Sequence, residues 1–221
     1  MRILSGPLRG KKWINASHNK SVWLGLYERK QTGVFVDSIK KSGVLWDLGA
    51  HVGYYTLLFL ARRPEGFVYS FEPSERNSRI LKEHMQLNEI RNYHLVECAV
   101  SDTDGVLKFK SGKTSVAGKL SQEGEISVPA VSLNRMYREG ALRKPDVIKM
   151  DIEGAEAVVL KDISTVLEEC SPILFLSTHG TKVHKECLQL LRALNYELKP
   201  VDHTSIDGAR EVLAIRNVSS G

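Results

Sequence analysis

An acidic residue and two glycines follow the first apolar run of this sequence, in the segment Asp47-Leu48-Gly49-Ala50-His51-Val52-Gly53. Glycine lets the backbone approach a ligand closely, and the start of a following helix offers free N–H groups and a positive dipole end. Glu72 stands 19 positions beyond Gly53, close to the spacing of roughly 20 between a glycine-rich turn and a ribose-binding acid. The pairing predicts that Asp47, Gly49, Gly53 and Glu72 hold a cofactor that contains a ribose.

His51 narrows the kind of cofactor that this loop can take. It stands where a dinucleotide-binding turn has its middle glycine, and a pyrophosphate needs the bare backbone of that glycine. A nicotinamide dinucleotide is therefore disfavoured. A cofactor with ribose and adenine but no phosphate tolerates a bulkier turn, and cationic sulfonium and amino groups suit the surrounding acids.

A second group of candidate residues follows two later apolar runs. Asp151 and Glu153 come directly after Val147 to Met150, and an unpaired carboxylate there would be costly to bury, so either Lys149 pairs with it or the pocket is wet. His179 titrates near neutrality and is our first candidate for the base that deprotonates a hydroxyl, with Asp151 second. A divalent metal bound by Asp151 and Glu153 also stays open, because the spacing does not decide it.

Strands that alternate with helices must position these residues. The predicted strands cover Val44 to Leu48, Phe67 to Phe71, Tyr93 to Val100, Val106 to Lys110, Ile126 to Val131 as an edge strand, Asp146 to Asp151 and Ile173 to Leu176, and a final hairpin pairs Tyr196 to Val201 with Glu211 to Arg216. The predicted helices cover Tyr54 to Arg63, a segment capped by Ser74, Leu133 to Arg138, Ala155 to Lys161 and Val183 to Leu194. This order predicts an α/β fold with a mostly parallel twisted sheet, helices on both faces and an antiparallel C-terminal hairpin strand at one edge. Ligands bind beyond the carboxyl ends of such strands.

The remaining segments are less regular. Residues 1 to 42, with a helix-rich stretch from Leu8 to Lys41, are expected to form a cap or lid on a Rossmann-like catalytic core of residues 43 to 221. Residues 111 to 125 are interpreted as a loop or weak hairpin beside the sheet. A chain of 221 residues suits a single domain.

Four blocks of sequence together resemble the FkbM family of S-adenosylmethionine-dependent methyltransferases. In order, they are Asp47-Leu48-Gly49-Ala50-x-x-Gly53-Tyr54-Tyr55-Thr56, Phe71-Glu72-Pro73, Ala99-Val100-Ser101-Asp102 and Lys149-Met150-Asp151-Ile152-Glu153-Gly154-Ala155-Glu156. The resemblance implies a Rossmann-like class I methyltransferase fold and S-adenosyl-L-methionine as cofactor. It extends over about three quarters of the chain and is weakest in residues 1 to 40.

The resemblance also implies roles for individual residues. Asp47, Gly49 and Gly53 would line the methionine end of the cofactor, Glu72 would hold the ribose, and Ser101 and Asp102 would border the adenine. Asp151 and Glu153 would lie where the methyl group leaves sulfur. The full cofactor set predicted here is Asp47, Gly49, Ala50, His51, Gly53, Tyr54, Glu72, Pro73, Ala99, Ser101, Asp102, Asp151 and Glu153. The sequence departs from the family at His51, where Asn is frequent, and at Ser177-Thr178-His179, where a Glu is frequent near the strand end, so the resemblance does not extend to an acceptor role for that strand end.

The amino-acid composition indicates the class of protein and its cellular compartment. Hydrophobic residues make up 42% and charged residues 26%, which is ordinary for a soluble globular protein and gives no sign of disorder. Cys98, Cys170 and Cys187 are odd in number and widely spaced, so they are interpreted as buried thiols in a reducing compartment. No secretory segment and no membrane span is predicted, and a cytoplasmic protein is expected.

The leading hypothesis is O-methylation of a hydroxyl on a small metabolite, glycan or secondary metabolite, as the resemblance implies. The net charge of +5 keeps an RNA methyltransferase as the alternative within the same class, although basic and acidic residues are interleaved along the chain. A non-catalytic binding module on a methyltransferase-like sheet is the alternative from another class.

Overall fold

The structure is a computed structural model that describes residues 1–14, 20–110, 119–120 and 126–216. In these ranges the helices are α1 (Lys20–Trp23), α2 (Arg29–Ser38), α3 (Tyr54–Arg62), α4 (Glu75–Leu87), α5 (Leu133–Arg138), α6 (Glu156–Asp162), α7 (Ser164–Cys170) and α8 (Thr181–Ala193). The strands are β1 (Val44–Leu48), β2 (Phe67–Phe71), β3 (Tyr93–Val96), β4 (Ala99–Ser101), β5 (Gly105–Lys110), β6 (Lys119–Leu120), β7 (Ile126–Ser132), β8 (Val147–Met150), β9 (Ile173–Ser177), β10 (Tyr196–Pro200) and β11 (Glu211–Arg216).

The main sheet has seven strands in the order β10-β11-β9-β8-β1-β2-β3. The pairs from β9 across to β3 are parallel, with Leu45 of β1 between Val68 of β2 and Val147 of β8. Strand β11 runs antiparallel to both of its neighbours, β9 and β10. This confirms the predicted α/β class and the antiparallel C-terminal hairpin at one edge of the sheet. The last strand lies inside the sheet, and β10 forms the edge.

A smaller sheet corrects two strand predictions. Its order is β4-β7-β5-β6, so the stretch predicted as one strand from Tyr93 to Val100 is divided between two sheets. The chain turns where the Cys98 N–H donates to the Val96 carbonyl at 2.9 Å. The strand predicted as an edge from Ile126 to Val131 instead lies between β4 and β5. Alternating hydrophobicity reports that one face is buried, and it does not tell an interior strand from an edge strand.

Helices differ from expectation in two places. The stretch from Leu8 was expected to be helix-rich, but residues 1–14 form a turn closed by hydrogen bonds from Ile3 N to the Lys11 carbonyl at 2.8 Å and from Trp13 N to the Met1 carbonyl at 2.8 Å. Local pairing of the two arms of this turn replaces helix formation there. Helix α7 was not predicted, and it ends at Ser171 in a left-handed conformation with φ of 49°.

Two hydrophobic clusters cover the two faces of the main sheet. Alternate residues of β1 belong to different clusters, since Trp46 and Leu48 pack on one face and Leu45 on the other. The second cluster also contains buried residues of the N-terminal segment: Ile3, Leu8, Trp13, Val22, Phe35 and Ile39. The N-terminal segment is therefore packed against the same core that carries β1 and α3.

The structure also bears on the sequence analysis of membrane spans and of the cysteines. No helix in the ranges that the structure describes is long and apolar enough to cross a membrane. The three cysteines are free thiols, with Cys98 and Cys187 buried and Cys170 half-buried.

Candidate functional site

The carboxyl ends of β1, β2 and β8 meet at one edge of the main sheet, as parallel neighbours must. The N–H groups of Gly49 and Ala50 both donate to the Phe71 carbonyl, at 3.0 and 2.9 Å. On the other side, the Asp151 N–H donates to the Leu48 carbonyl at 2.9 Å. The glycine-containing loop is thus fixed between the end of β2 and the start of the Asp151 segment.

Gly49 is required by both its backbone and its surroundings. Its φ is +80°, and a Cβ at this position would lie 1.9 Å from the Asp151 carbonyl oxygen. Gly53 has a φ of +85°, and a Cβ there would lie 2.7 Å from Leu81 Cγ. His51 between them is also left-handed, with φ of 49°. No other residue type fits at Gly49 without moving the Asp151 segment, which explains the glycine of the motif.

Glu72 holds this loop from the end of β2. It is 5% exposed, and its Oε2 accepts from the His51 N–H at 2.8 Å. Its Oε1 accepts from the Ser74 N–H at 2.9 Å and from Asn77 Nδ2 at 3.2 Å. Burial raises the pKa of Glu72, although these three donors act in the opposite direction. A carboxylate offers about four acceptor positions, so one further donor can be accommodated, on Oε2.

Asp47 is buried below the loop, with 2% exposure. Its Oδ2 accepts from Thr56 Oγ1 at 2.6 Å. Burial raises the pKa of Asp47 to about 6, against the opposing effects of the Thr56 hydrogen bond and of Lys149. Its negative charge is therefore held at a cost that a cationic ligand group nearby would reduce.

Lys149 supplies the positive charge that the acids need. It is 3% exposed, and its Nζ donates to Ser177 Oγ at 2.5 Å. The same nitrogen lies 3.7 Å from Asp151 Oδ2 and 3.9 Å from Glu211 Oε2. Burial acts to lower the pKa of Lys149, but the neighbouring carboxylates outweigh it and the pKa is raised. Lys149 thus partners Asp151, one of the two arrangements that the sequence had left open.

The second group of predicted residues forms a cluster around His179. Its Nε2 lies 3.6 Å from Asp151 Oδ1 and 3.6 Å from Glu153 Oε2. Its Nδ1 lies 2.7 Å from Oε1 of Glu156, whose side chain has no exposure. The hydrogen bond with Glu156 raises the pKa of His179, with smaller contributions in the same direction from Asp151 and Glu153. This cluster brings together the two predicted catalytic residues.

The same cluster has the composition of a cation site. One ligand atom from each of Asp151, Glu153 and His179 lies within 4.8 Å of the others. Their carboxylate and imidazole groups could hold a divalent ion. The same geometry places a titratable imidazole between two acids, as in a general base flanked by carboxylates.

The N-terminal segment reaches this edge through aromatic contacts. The rings of Tyr27 and Tyr54 lie 4.7 Å apart, and Tyr55 Oη donates to Glu28 Oε2 at 2.7 Å. Burial, together with Glu28, raises the pKa of Tyr55. Tyr54 and Tyr55 are 8% and 9% exposed, as expected for residues that pack a helix. The positioning of Glu28 beside them was not predicted.

The residues predicted to border the adenine lie in or next to the smaller sheet. Ala99 and Ser101 are buried on β4, where they pair with Ala130 and Ser132, and Asp102 follows on the exposed turn. Ser101 Oγ donates to Asp102 Oδ1 at 3.3 Å. Pro73 is half-buried just after Glu72. Since the Glu72 N–H donates to the Val96 carbonyl at 3.2 Å, the chain enters β4 close to Glu72.

Sequence reasoning missed three polar residues of the site. Glu156 resembles an ordinary acid in the first turn of a helix, although its place at the end of the sequence block that starts at Lys149 was a usable signal. Asn77 lies inside a helix whose cap, Ser74, was recognised. Glu28 is an isolated acid in a basic segment, and that isolation is the only sign of it in the sequence.

Comparison with known proteins identifies what this chain resembles. Residues 47–198 match the family described as Methyltransferase FkbM domain. The matched range contains Asp47, Glu72, Asp151 and His179, whereas Glu28 lies before it. The resemblance inferred from the four sequence blocks is confirmed.

Two curated relatives match more than half of the chain. The hexuronic acid methyltransferase AglP of Haloferax volcanii is 24% identical over 160 residues, which are 72% of this chain and 65% of the relative. The 2-O-methyltransferase NoeI of Sinorhizobium fredii is 28% identical over 141 residues, 55% of this chain and 57% of the relative. The chain therefore spans less than two thirds of either protein.

Solved structures share the fold. A methyltransferase FkbM from Methylobacillus flagellatus superimposes with a TM-score of 0.58 at 17% identity, over 79% of this chain and 43% of that one. SMU.1697c of Streptococcus mutans, a protein solved in complex with SAH, superimposes with a TM-score of 0.55 at 12% identity, over 84% of this chain and 97% of that one. These likenesses confirm the class I methyltransferase architecture.

Proposed function

The chain belongs to the FkbM methyltransferase family, and we propose that it transfers a methyl group from S-adenosylmethionine to a hydroxyl oxygen of a glycan or another hydroxylated small molecule. One observation carries the choice of a hydroxyl acceptor. Nε2 of His179 faces Asp151 and Glu153, while Glu156 holds Nδ1 on the other side of the ring. A hydroxyl must lose its proton during the transfer, and this arrangement provides a base for it.

The residues at the glycine loop fit the proposed cofactor. A Cβ at Gly49 would clash with the Asp151 carbonyl oxygen, so glycine at this position lets the loop and the Asp151 segment meet closely at the edge where the cofactor is proposed to bind. Asp47 and Asp151 place negative charge beside the loop, which suits a sulfonium and an amino group. Glu72 retains one acceptor position for a ribose hydroxyl. Hydrogen bonds from both hydroxyls of a ribose would require one of its present donors to move.

The proposed chemistry divides between cofactor and protein. S-adenosylmethionine supplies an electrophilic methyl group on a positively charged sulfur. His179 accepts the proton of the acceptor hydroxyl at Nε2, and Glu156 keeps the ring in the tautomer that leaves Nε2 unprotonated. Asp151 and Glu153, each 3.6 Å from that nitrogen, stabilise the imidazolium that results. Alignment of donor and acceptor by the loop supplies the rest of the acceleration.

The names of the relatives support a hydroxylated acceptor, and one of the two names a sugar acid. One is a hexuronic acid methyltransferase and the other a 2-O-methyltransferase. Both names describe the relatives, and this chain matches only part of each. We extend to this protein the class of acceptor, a hydroxylated small molecule or glycan, and leave the position of the methyl group open. The family match favours this function over an RNA methyltransferase and over a non-catalytic binding module.

We also propose that two parts of the chain have different roles. Residues 43–221 form the catalytic core, and residues 1–42 act as a cap, supported by the contacts of Tyr27 and Glu28 with Tyr54 and Tyr55. We also propose that the protein acts in the cytoplasm. The three free thiols support this location, because cysteines stay reduced there.

Two experiments test the function. Isothermal titration with S-adenosylmethionine should give saturable binding, and the absence of binding by folded protein would reject the enzyme. Transfer of a labelled methyl group to a panel of uronic acids, neutral glycosides and bulk RNA should label hydroxylated saccharides. Labelling of RNA alone would overturn the acceptor class. Activity should survive a chelator but fall by about 100-fold or more in His179→Ala, as expected for loss of a general base. Loss of activity with chelator would instead give the cluster a metal-binding role.

A further inference from the structure

The N-terminal 41 residues differ in charge from the rest of the chain. They contain nine lysine and arginine residues against two acidic residues, whereas residues 42–221 contain 22 basic and 24 acidic residues. The excess positive charge of the protein is therefore located in this one segment. Of its two acids, Asp37 pairs with Lys40 at 3.1 Å, and Glu28 turns toward Tyr55. Two acids against nine bases leave the segment with a net positive charge.

The same segment carries most of the exposed hydrophobic residues. Among the residues described by the structure, seven large hydrophobic side chains are exposed, and four of these fall within the first 26 residues. Leu4 is 67% exposed, and Leu24 and Leu26 are each 52% exposed. We call these three residues the leucine surface. Exposed apolar groups concentrated in one place mark interaction sites more often than scattered ones do.

Hydrogen bonds fix the leucine surface as one unit. The Leu4 N–H donates to the Trp23 carbonyl at 2.8 Å, and Ser5 Oγ donates to the Leu24 carbonyl. Gly25 permits this close approach, since a Cβ there would lie 2.3 Å from the Ser5 carbonyl oxygen. The neighbouring Ile3 is 2% exposed and anchors the segment in the core. The leucines are therefore presented outward by an ordered scaffold.

Exposed basic residues flank the leucine surface along the chain. They are Arg2, Arg9, Arg29 and Lys30. Leucines surrounded by arginine and lysine suit the boundary between headgroups and acyl chains of an anionic bilayer, where the bases meet phosphate and the leucines enter the apolar layer. A nucleic acid would use the charges but leave the leucines in water. We propose that the leucine surface and its basic flank bind the surface of a membrane rich in anionic lipids.

This placement has a consequence for the site. Leu26 precedes Tyr27 and Glu28, which contact the residues at the start of α3. A bilayer held against the leucine surface lies beside the cap of the proposed site, so acceptors carried by a membrane would be within reach. The proposal concerns membrane binding itself and stands independently of the methyl transfer.

Sedimentation with vesicles tests the proposal. The full chain should sediment with phosphatidylcholine vesicles that contain phosphatidylglycerol and stay in solution with phosphatidylcholine alone, and added salt should weaken binding. Leu24→Asp/Leu26→Asp should reduce the affinity by about tenfold or more. The matched control is Leu87→Asp/Val158→Asp, which changes two residues that are 40% and 39% exposed elsewhere and should bind as wild type does. Circular dichroism and thermal unfolding check that each variant is folded.

Several outcomes would overturn the proposal. They are failure of the wild type to sediment, equal loss of binding in the control, and full binding by the leucine variant. If the wild type is a dimer, the leucine variant is a monomer and neither binds vesicles, the leucine surface is an interface with a second copy of the chain. Salt-sensitive binding to RNA but not to vesicles would assign the basic residues to nucleic acid.

Discussion

The Nδ1 atom of His179 lies 2.7 Å from Oε1 of Glu156, a carboxylate that is fully buried at the start of α6. A carboxylate accepts hydrogen bonds, so the ring proton belongs on Nδ1 and the lone pair on Nε2. Nε2 then faces Asp151 and Glu153, whose carboxylates favour its protonation. The contact with Glu156 therefore both orients the proposed base and raises the pKa at which it becomes neutral.

Glu156→Gln should change the pH dependence of methyl transfer. Loss of the carboxylate lowers the pKa of His179, so the acid limb of the kcat/KM profile should move to lower pH. The maximal rate should also fall by about tenfold or more because the weaker hydrogen bond no longer fixes the tautomer. Titration of the His179 ring by NMR measures the pKa independently of activity. Glu186→Gln, on the half-exposed side of α8, is the control and should leave both unchanged. An acid limb that does not move would contradict the role of Glu156.

Asp47→Asn should separate stability from cofactor binding. Burial raises the folded-state pKa of Asp47 to about 6. Between the ordinary pKa of Asp and this value the unfolded chain loses the proton and the folded protein keeps it, so the free energy of unfolding of the wild type falls as pH rises. The neutral amide avoids this loss, and its oxygen can still accept from Thr56. The variant should therefore be more stable than wild type at pH 8 by up to about 3 kcal/mol, with little difference near pH 4.

Asp47→Asn should weaken cofactor binding although it increases stability. If Asp47 offsets the cationic groups of S-adenosylmethionine, the more stable variant should bind the cofactor more weakly in isothermal titration. Urea unfolding at pH 4 and pH 8 measures the stability. A variant that binds as tightly as wild type would remove Asp47 from the cofactor site and leave it as a structural residue.

The sequence predicted most of the residues that meet at the candidate site because strand ends are visible in it. Asp47 lies near the end of an apolar strand, Glu72, Asp151 and His179 follow such strands, and parallel strands bring these ends to one edge. Glu156 and Glu28 could not be found in this way. Glu156 is the first residue of α6 and does not directly follow a strand, and its importance depends on the direction in which His179 points. Glu28 reaches the site only through the packing of the N-terminal segment, for which no periodicity existed.

The division of the predicted strand Tyr93 to Val100 has a similar cause. Both halves are apolar enough for a strand, and hydrophobic pattern alone cannot place a short turn between them. The turn at Cys98 is set by a backbone hydrogen bond and by the second sheet, which is built from strands far apart in the sequence. Non-local pairing of this kind leaves no local signature.

Gly49→Ala should damage the site far more than a comparable change elsewhere. The new Cβ would lie 1.9 Å from the Asp151 carbonyl, so either the loop or the Asp151 segment must move. Cofactor affinity should fall by about tenfold or more, and stability should fall as well. Gly140→Ala is the matched control: its φ is +76° but nothing lies within 4 Å of the added atom. Gly140→Ala should lower the free energy of unfolding by only about 1 to 2 kcal/mol, the cost of placing an alanine in the left-handed conformation. Equal effects of the two changes would show that backbone strain, and not the close approach, explains Gly49.

Protonation of His84 should weaken the attachment of the N-terminal segment. Its Nδ1 lies 2.7 Å from the Val52 carbonyl, its Nε2 accepts from the Ile14 N–H at 3.1 Å, and its ring stacks on Trp13 with centroids 3.7 Å apart. The ring is therefore satisfied when neutral. A proton on Nε2 would face the Ile14 N–H, and burial lowers the pKa of His84 to about 4.

The sign of the His84 effect follows from this lowered pKa. The unfolded chain takes up the proton near the ordinary pKa of His, so stability is complete above that value and falls as pH drops toward 4. The loss should reach about 3 kcal/mol across this interval. His84→Gln should be less stable than wild type at pH 7 but should lose less on acidification. His203→Gln, at an exposed histidine, should keep the wild-type slope. Because Asp47 titrates in the same range with the opposite sign, the slopes of the variants are compared with that of wild type in urea unfolding. Equal slopes for wild type and His84→Gln would mean that His84 is protonated in the folded protein.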